Sequence, residues 1–184
     1  MALLLTGCGA GNTTKSNTST TPSGSPTAAN SATTSTTTPG DCPTENTRSF
    51  AKTRFVADIG LVAGTFHRYI VQPNQAGKFK SDADGRLTAM LKAGIVAAID
   101  AKLVTNAIEN AKANPTLCKA LVGPLTQLAD TLPGLKDKIL KGDLASVMSI
   151  QTILETIMGT AKKHGLNITP NDDLNSATQA QNAS

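Results

Sequence analysis

Three observations in the amino-acid sequence predict an all-α fold, a compact bundle of four to five helices. Apolar residues recur at steps of three and four between residues 55 and 161, which is the repeat of one helix face. No hairpin dipeptide sits between two alternating apolar–polar runs, so an antiparallel sheet has no turn to form on. Proline, glycine and asparagine gather at a few points and cut the apolar repeat into helix-sized lengths.

The first helix is marked by Phe55, Ile59, Val62, Phe66 and Ile70, and Pro73 is expected to end it. Gly60 and Gly64, one turn apart, predict close approach of a neighbouring helix. A second helix is expected from Ser81 or Asp82, with acids favourable in its first turn, to about Ala113. Leu87, Met90, Leu91, Ile95, Ala98, Ile99, Leu103 and Ile108 form its broad apolar stripe. Asn114-Pro115 begins a third helix with a capping side chain and a proline at the first helical position. Gly123-Pro124 is expected to kink or split it, and Thr131 to Gly134 to end it. A short helix over 135–141 precedes Gly142-Asp143. The last helix carries Val147, Ile150, Leu154, Ile157 and Ala161 on one face, flanked by Leu144, Met148, Ile153 and Met158. Lys162, Lys163 and His164 suit its C-terminus, and Gly165 is the expected left-handed stop.

The two ends read differently. From Asn12 to Thr38 there are eleven Thr and six Ser among 27 residues and no large apolar side chain, too little to offset the entropy of ordering. Residues 171–184 hold Leu174 as their single bulky side chain and are expected to be a disordered tail. The folded domain is therefore placed at 41–170, behind a flexible tether at 8–40.

Leu5-Thr6-Gly7-Cys8 resembles the lipobox of bacterial lipoproteins, in which an aliphatic residue, a small one and Gly or Ala precede the acylated cysteine. The resemblance is supported by Leu3-Leu4-Leu5 before it and the tether after it. It implies cleavage after Gly7, a diacylglycerol on the Cys8 thiol, and attachment to the extracytoplasmic face of the cell membrane. A secretory leader needs a basic region and an apolar run of about 7–15 residues. Residues 1–7 are thus read as a signal remnant whose charged part lies upstream of Met1. No run approaches the ~18 apolar residues of a membrane-spanning helix, so the membrane contact implied is through the Cys8 lipid.

With Cys8 assigned to lipid, Cys42 and Cys118 remain. In an oxidising compartment this even remainder reads as a disulfide, rather than as two unrelated thiols. No CxxC or His-x₃₋₅-His spacing is present, so no metal site is expected. Between residues 43 and 170 sixteen Lys/Arg stand against ten Asp/Glu, with Arg48, Lys52, Arg54, Arg68, Lys78 and Lys80 concentrated early. That surplus suits anionic lipid or a wall polymer, or is simply a solvated helix face. With four Phe, one Tyr and no Trp there is no base-stacking platform, and nucleic acid is not expected as a partner.

Catalytic motifs are missing. No GxSxG elbow, phosphate loop, dinucleotide fingerprint or HExxH occurs. Asp82-Ala83-Asp84-Gly85 fails as a calcium loop, because either registration puts a cation or Leu91 where an acid is needed. No catalytic residue or cofactor is expected. His67, Arg68 and Tyr69, with Lys78 and Lys80, are the candidate surface or binding residues. The segment from His67 to Pro73, continuing over Ala76 to Phe79, is similar to uncharacterised secreted proteins of actinobacteria, which implies no activity.

The sequence is thus read as a non-enzymatic, lipid-anchored envelope protein whose helical domain contacts a partner protein or wall polymer. The alternative is a carrier or sensor of an apolar acyl-chain ligand held between helices. An internal cavity of a few hundred Å³ would favour the carrier, and a filled core with an exposed apolar groove would favour partner binding. The lipobox predicts that the protein expressed in its host partitions into detergent, and that Cys8→Ser moves it to the aqueous phase. Aqueous partitioning of the wild-type chain would refute the anchor.

Overall fold

The computed structural model describes residues 42–141, 143 and 145–182. The lipobox, Cys8 and the tether lie outside them. The described residues form six helices and no strand. Helix α1 spans Ala51–Phe66 and continues through a π-helical turn at His67–Val71 and a last α-turn at Gln72–Gln75. There follow α2 (Arg86–Lys112), α3 (Pro115–Thr131), α4 (Leu135–Leu140), α5 (Ala145–Lys163) and α6 (Leu174–Ala180).

The helical periodicities hold. Phe55, Ile59, Val62, Phe66 and Ile70 of α1 are buried, as are Val147, Ile150, Leu154, Ile157 and Ala161 of α5. Each large apolar side chain so buried stabilises the fold by about 1.5–3 kcal/mol before conformational entropy is counted. All six helices contribute to one apolar cluster. Asn114 caps α3 as its type requires, its side-chain oxygen accepting from the Thr116 and Leu117 amides at 3.1 and 3.0 Å. Gly165 stops α5 at φ 77°. The Leu166 amide there donates to the Ala161 carbonyl and the Gly165 amide to that of Lys162, a Schellman pair that needs a left-handed residue.

Four expectations are corrected. Pro73 does not end α1. It lacks the N–H that the Tyr69 carbonyl would take, and its ring crowds that carbonyl. The wider π-turn just before it, in which the Gln72 amide donates to the His67 carbonyl, absorbs the conflict and lets the helix run to Gln75. Helix α2 begins at Arg86, not at 81 or 82, because the preceding residues are held as turns. Phe79 is buried, and its carbonyl accepts from Arg86 Nε at 3.1 Å. Gly123-Pro124 does not split α3, which runs as one helix with Pro124 inside it. Finally, residues 174–180 of the expected tail are helix α6, with Ala177 fully buried. Asp173 caps it by accepting from the Asn175 amide at 2.9 Å.

Gly60 and Gly64 do permit close approach, yet the neighbour is an extended strap, residues 166–173, rather than a helix. The Asn171 amide donates to the Gly60 carbonyl at 2.8 Å. A Cβ on Gly60 would fall 2.7 Å from the Thr169 carbonyl oxygen, and one on Gly64 would overlap the Asn171 backbone. At the other end, Cys42 and Cys118 form a disulfide with their Cα atoms 5.6 Å apart and a sequence separation of 76. Closing a loop of that length stabilises a fold by about 4 kcal/mol in the chain-entropy model. The Thr47 amide donates to the Ala113 carbonyl at 2.9 Å, which also pins residues 42–50 to the α2–α3 corner.

Helices α1 and α2 lie antiparallel, joined by a buried polar seam. Asn110 Nδ2 donates to Asp58 Oδ2 at 3.1 Å, and Arg48 donates to Asn110 Oδ1 at 3.2 Å. Two turns further along α1, Thr65 Oγ1 lies 2.7 Å from Asp100 Oδ1 and 2.6 Å from the Leu61 carbonyl. The hydroxyl has one proton to share between these two oxygens, and the buried Asp100 Oδ2 has no partner among the described residues. Burial pushes the Asp100 carboxyl well above its ordinary range, and the Thr65 hydroxyl offsets this only in part. Burial likewise raises Asp58 to about 6 against the opposing pull of Asn110 and Arg54.

These shifts set the sign of the pH dependence. Between the unfolded value of 3.8 and about 6 the folded chain holds a proton on Asp58 that the unfolded chain has lost. The contribution of Asp58 is therefore fullest below that window and falls as pH rises through it, by up to roughly 3 kcal/mol; Asp100 extends the loss to higher pH. Urea unfolding should show a higher midpoint at pH 4.5 than at pH 7.5. Asp100→Asn should raise the midpoint at pH 7.5 and flatten the profile. A wild-type midpoint that climbs from pH 4.5 to 7.5 would contradict this account.

Candidate functional site

Two surface features stand apart from the packed core. The first is a cleft of about 430 Å³ where the π-turn of α1, the middle of α5 and the strap converge. Its floor is apolar, made by Ala63, Phe66, Val71 and Leu154, with Met158 and Pro170 on the walls. Its rim is charged on both sides. The π-turn supplies His67 and Arg68, α5 supplies Glu155, and the strap supplies Asp172.

Both rim carboxylates face a partner. Gln151 Nε2 donates to Glu155 Oε1 at 2.9 Å, an i,i+4 pair that orients the carboxylate. Arg68 Nε faces Asp172 Oδ2 at 3.8 Å across the mouth, both side chains more than half exposed. An exposed pair of this kind adds little to stability and opens readily. The strap itself is held by Gly60 and by an Asx turn, in which the Asp173 amide donates to Asn171 Oδ1 at 3.0 Å.

The second feature is an apolar stripe outside the core. Leu87, Leu91 and Ile95 of α2 are 78, 67 and 50 % exposed, and Leu140 of α4 is 47 % exposed. Leu87, Leu91 and Leu140 line a shallow groove of about 200 Å³ with Met90, Ile139 and Lys136. Lys136 lines the groove, and Lys92, Asp137 and Lys141, exposed, adjoin lining residues in sequence. Of the stripe expected on the second helix, Met90, Ile99 and Leu103 turn into the core, and Leu87, Leu91 and Ile95 do not.

Of the residues singled out in the sequence, His67 and Arg68 come together in the cleft. Tyr69, next to them, is half-buried and packs against the core. Lys78 and Lys80 are exposed beyond the end of α1 and line neither feature. Cys42 and Cys118 are the disulfide, and Cys8 lies outside the described residues. Sequence reasoning missed Gln151, Glu155, Asp172 and the exposure of Leu87 and Leu91. A usable signal existed for α2. Apolar residues at 87, 91 and 95 lie beside a second set at 90, 93, 96 and 97, more apolar surface than one core face takes.

Among the described residues, no group of three or more His, Cys, Asp or Glu is placed to hold a metal ion, and no helix is long and apolar enough to cross a membrane. No family model, curated protein or solved structure matches this chain.

The cleft depends on the seating of the strap, which gives a test. Gly64→Ala should destabilise by about 1–3 kcal/mol through overpacking and speed hydrogen exchange at the Asn171 amide. Gly123→Ala, where a Cβ meets nothing within 4 Å, should stabilise α3 by up to about 1 kcal/mol. Equal thermal shifts for the two variants would show that the strap does not rest on Gly64.

Proposed function

We propose that this chain is a non-enzymatic, lipid-anchored envelope protein whose helical domain docks an envelope partner through the α2–α4 face. The observation that carries the reading is the exposed stripe of Leu87, Leu91, Ile95 and Leu140 beside an otherwise buried core. Leaving such a contiguous apolar surface in water has a free-energy cost that burial against a partner removes. Fully burying the four side chains would contribute several kcal/mol, in the range of a docking hot spot. Lys136 in the groove, with the exposed Lys92 and Lys141 next in sequence to Leu91 and Leu140, favours an acidic surround on that partner. The anchor rests on the lipobox, and tethering would raise the local concentration of the domain near envelope partners.

A second reading, a ligand carrier, is favoured by the cleft under the π-turn, whose floor is apolar and whose mouth is polar. It differs from the sequence expectation in place: the hollow lies at the surface between α1, α5 and the strap, not within the core. The two readings use different faces and are tested separately.

Docking is tested by placing a photo-crosslinking residue at Leu91 or Leu140 in the full-length protein in its host. A discrete adduct of one size is expected from both positions, and none from the exposed Thr105 on the same helix α2. Leu91→Asp should abolish the adduct formed from position 140. Adducts that are absent, or equally abundant from Thr105, would rule out docking by this face.

A further inference from the structure

The cleft pairs opposite charges across an apolar floor, and this decides what kind of molecule suits it. One side of the mouth carries the Arg68 guanidinium, with His67 beside it on the π-turn. The other carries Glu155, oriented by Gln151 at 2.9 Å, and Asp172 on the strap. A purely anionic ligand would meet two carboxylates for one guanidinium. A purely cationic ligand would leave Arg68 facing it. A ligand with both charges satisfies each side. Its anionic end takes Arg68, which a carboxylate or phosphate engages in two parallel hydrogen bonds, and its cationic end lies against Glu155. The body between or behind them faces Phe66, Val71, Leu154 and Met158.

The π-turn is what makes the arrangement. Its wider register presents the consecutive residues His67 and Arg68 at the mouth while Ile70 and Val71 stay buried. Such turns inside α-helices recur at functional sites. The Arg68–Asp172 pair is the gate: at 3.8 Å and more than half exposed, it yields to a ligand that offers Arg68 better geometry.

We propose that the cleft binds a small zwitterion with an apolar body, its anionic group on Arg68 and its cationic group on Glu155. This rests on the carrier reading of the cleft and is independent of docking by the α2–α4 face. Two sources supply the chemistry: a zwitterionic lipid headgroup with its chain, or a short apolar peptide with free termini.

The test is a titration of the full-length chain carrying Cys8→Ser, followed by backbone amide shifts at His67, Gln151 and Met158. The probes are dodecylphosphocholine, dodecanoate and dodecyltrimethylammonium, each kept monomeric, and trileucine with free or blocked termini. A zwitterionic probe is expected to saturate the cleft. Dodecanoate and dodecyltrimethylammonium should bind at least ten-fold more weakly than dodecylphosphocholine if the source is lipid. Blocked trileucine should bind at least ten-fold more weakly than free trileucine if the source is peptide. Arg68→Gln should bring dodecylphosphocholine down to the affinity of dodecyltrimethylammonium, and Glu155→Gln down to that of dodecanoate. Both sites are exposed, so unchanged thermal midpoints will show that the fold is intact. Equal affinity for the three dodecyl probes together with equal affinity for free and blocked trileucine, or variants that bind as wild type, would overturn the zwitterion assignment while leaving a carrier. Absence of shifts with every probe would overturn the carrier reading as well.

Discussion

The architecture depends on one side of α1 being bare backbone. Gly60 and Gly64 present no side chain to the strap, which approaches closely enough for the Asn171 amide to bond the Gly60 carbonyl. That contact orders a segment of low apolar content and carries the chain to where Asp173 can cap α6. It also stations Pro170 and Asp172 opposite the π-turn, so the cleft exists because the strap is seated. The opposite side of α1 does conventional work, with Phe55, Ile59, Val62 and Phe66 in the core. A helix used on both sides in this way tolerates neither a larger residue at the glycines nor a smaller one at the phenylalanines.

The α1–α2 interface adds a different constraint. Asp58, Thr65, Asp100 and Asn110 are buried polar residues in an apolar setting, and replacing such groups by apolar ones is often neutral or stabilising. Their geometry is specific, however. Asn110 reaches Asp58 and Thr65 reaches Asp100 in only one antiparallel register of the two helices. A slide by one turn would strip Asp58, Asp100 and the Asn110 amide of these partners, each at a cost of about 1–3 kcal/mol. The seam therefore fixes register, and the raised carboxyl affinities for protons are the by-product.

Periodicity made most of the helices legible, since the residues at steps of three and four in α1 and α5 are the ones the core buries. The Asn114 cap and the Gly165 stop were legible because each is set by local backbone chemistry. What sequence reading misjudged was decided by tertiary contacts. Pro73 was expected to end α1, but a π-turn has no residue signature and accommodated it. Residues 174–180 looked unfoldable because their stability comes from α1 and α2, on which α6 packs, and not from their own side chains. The cleft was half legible. His67 and Arg68 stood out as neighbours, whereas Glu155 and Asp172 join them only through the fold. The exposure of Leu87 and Leu91 was hidden because periodicity locates an apolar stripe without showing what covers it.

The disulfide also has a mechanical meaning. Any pull on the chain ahead of Cys42 enters the domain at that residue and passes through a covalent bond to Cys118, in the first turns of α3. Residues 43–50 and the start of α1 are bypassed. Without the bond, the same force would peel that segment from the α2–α3 corner one hydrogen bond at a time and then load α1 from its end. With it, the force meets Leu117 and Leu121, fully buried side chains at the middle of the packing. A pull from that side is thereby carried to the buried centre of the domain, and residues 43–50 are not the part that bears it.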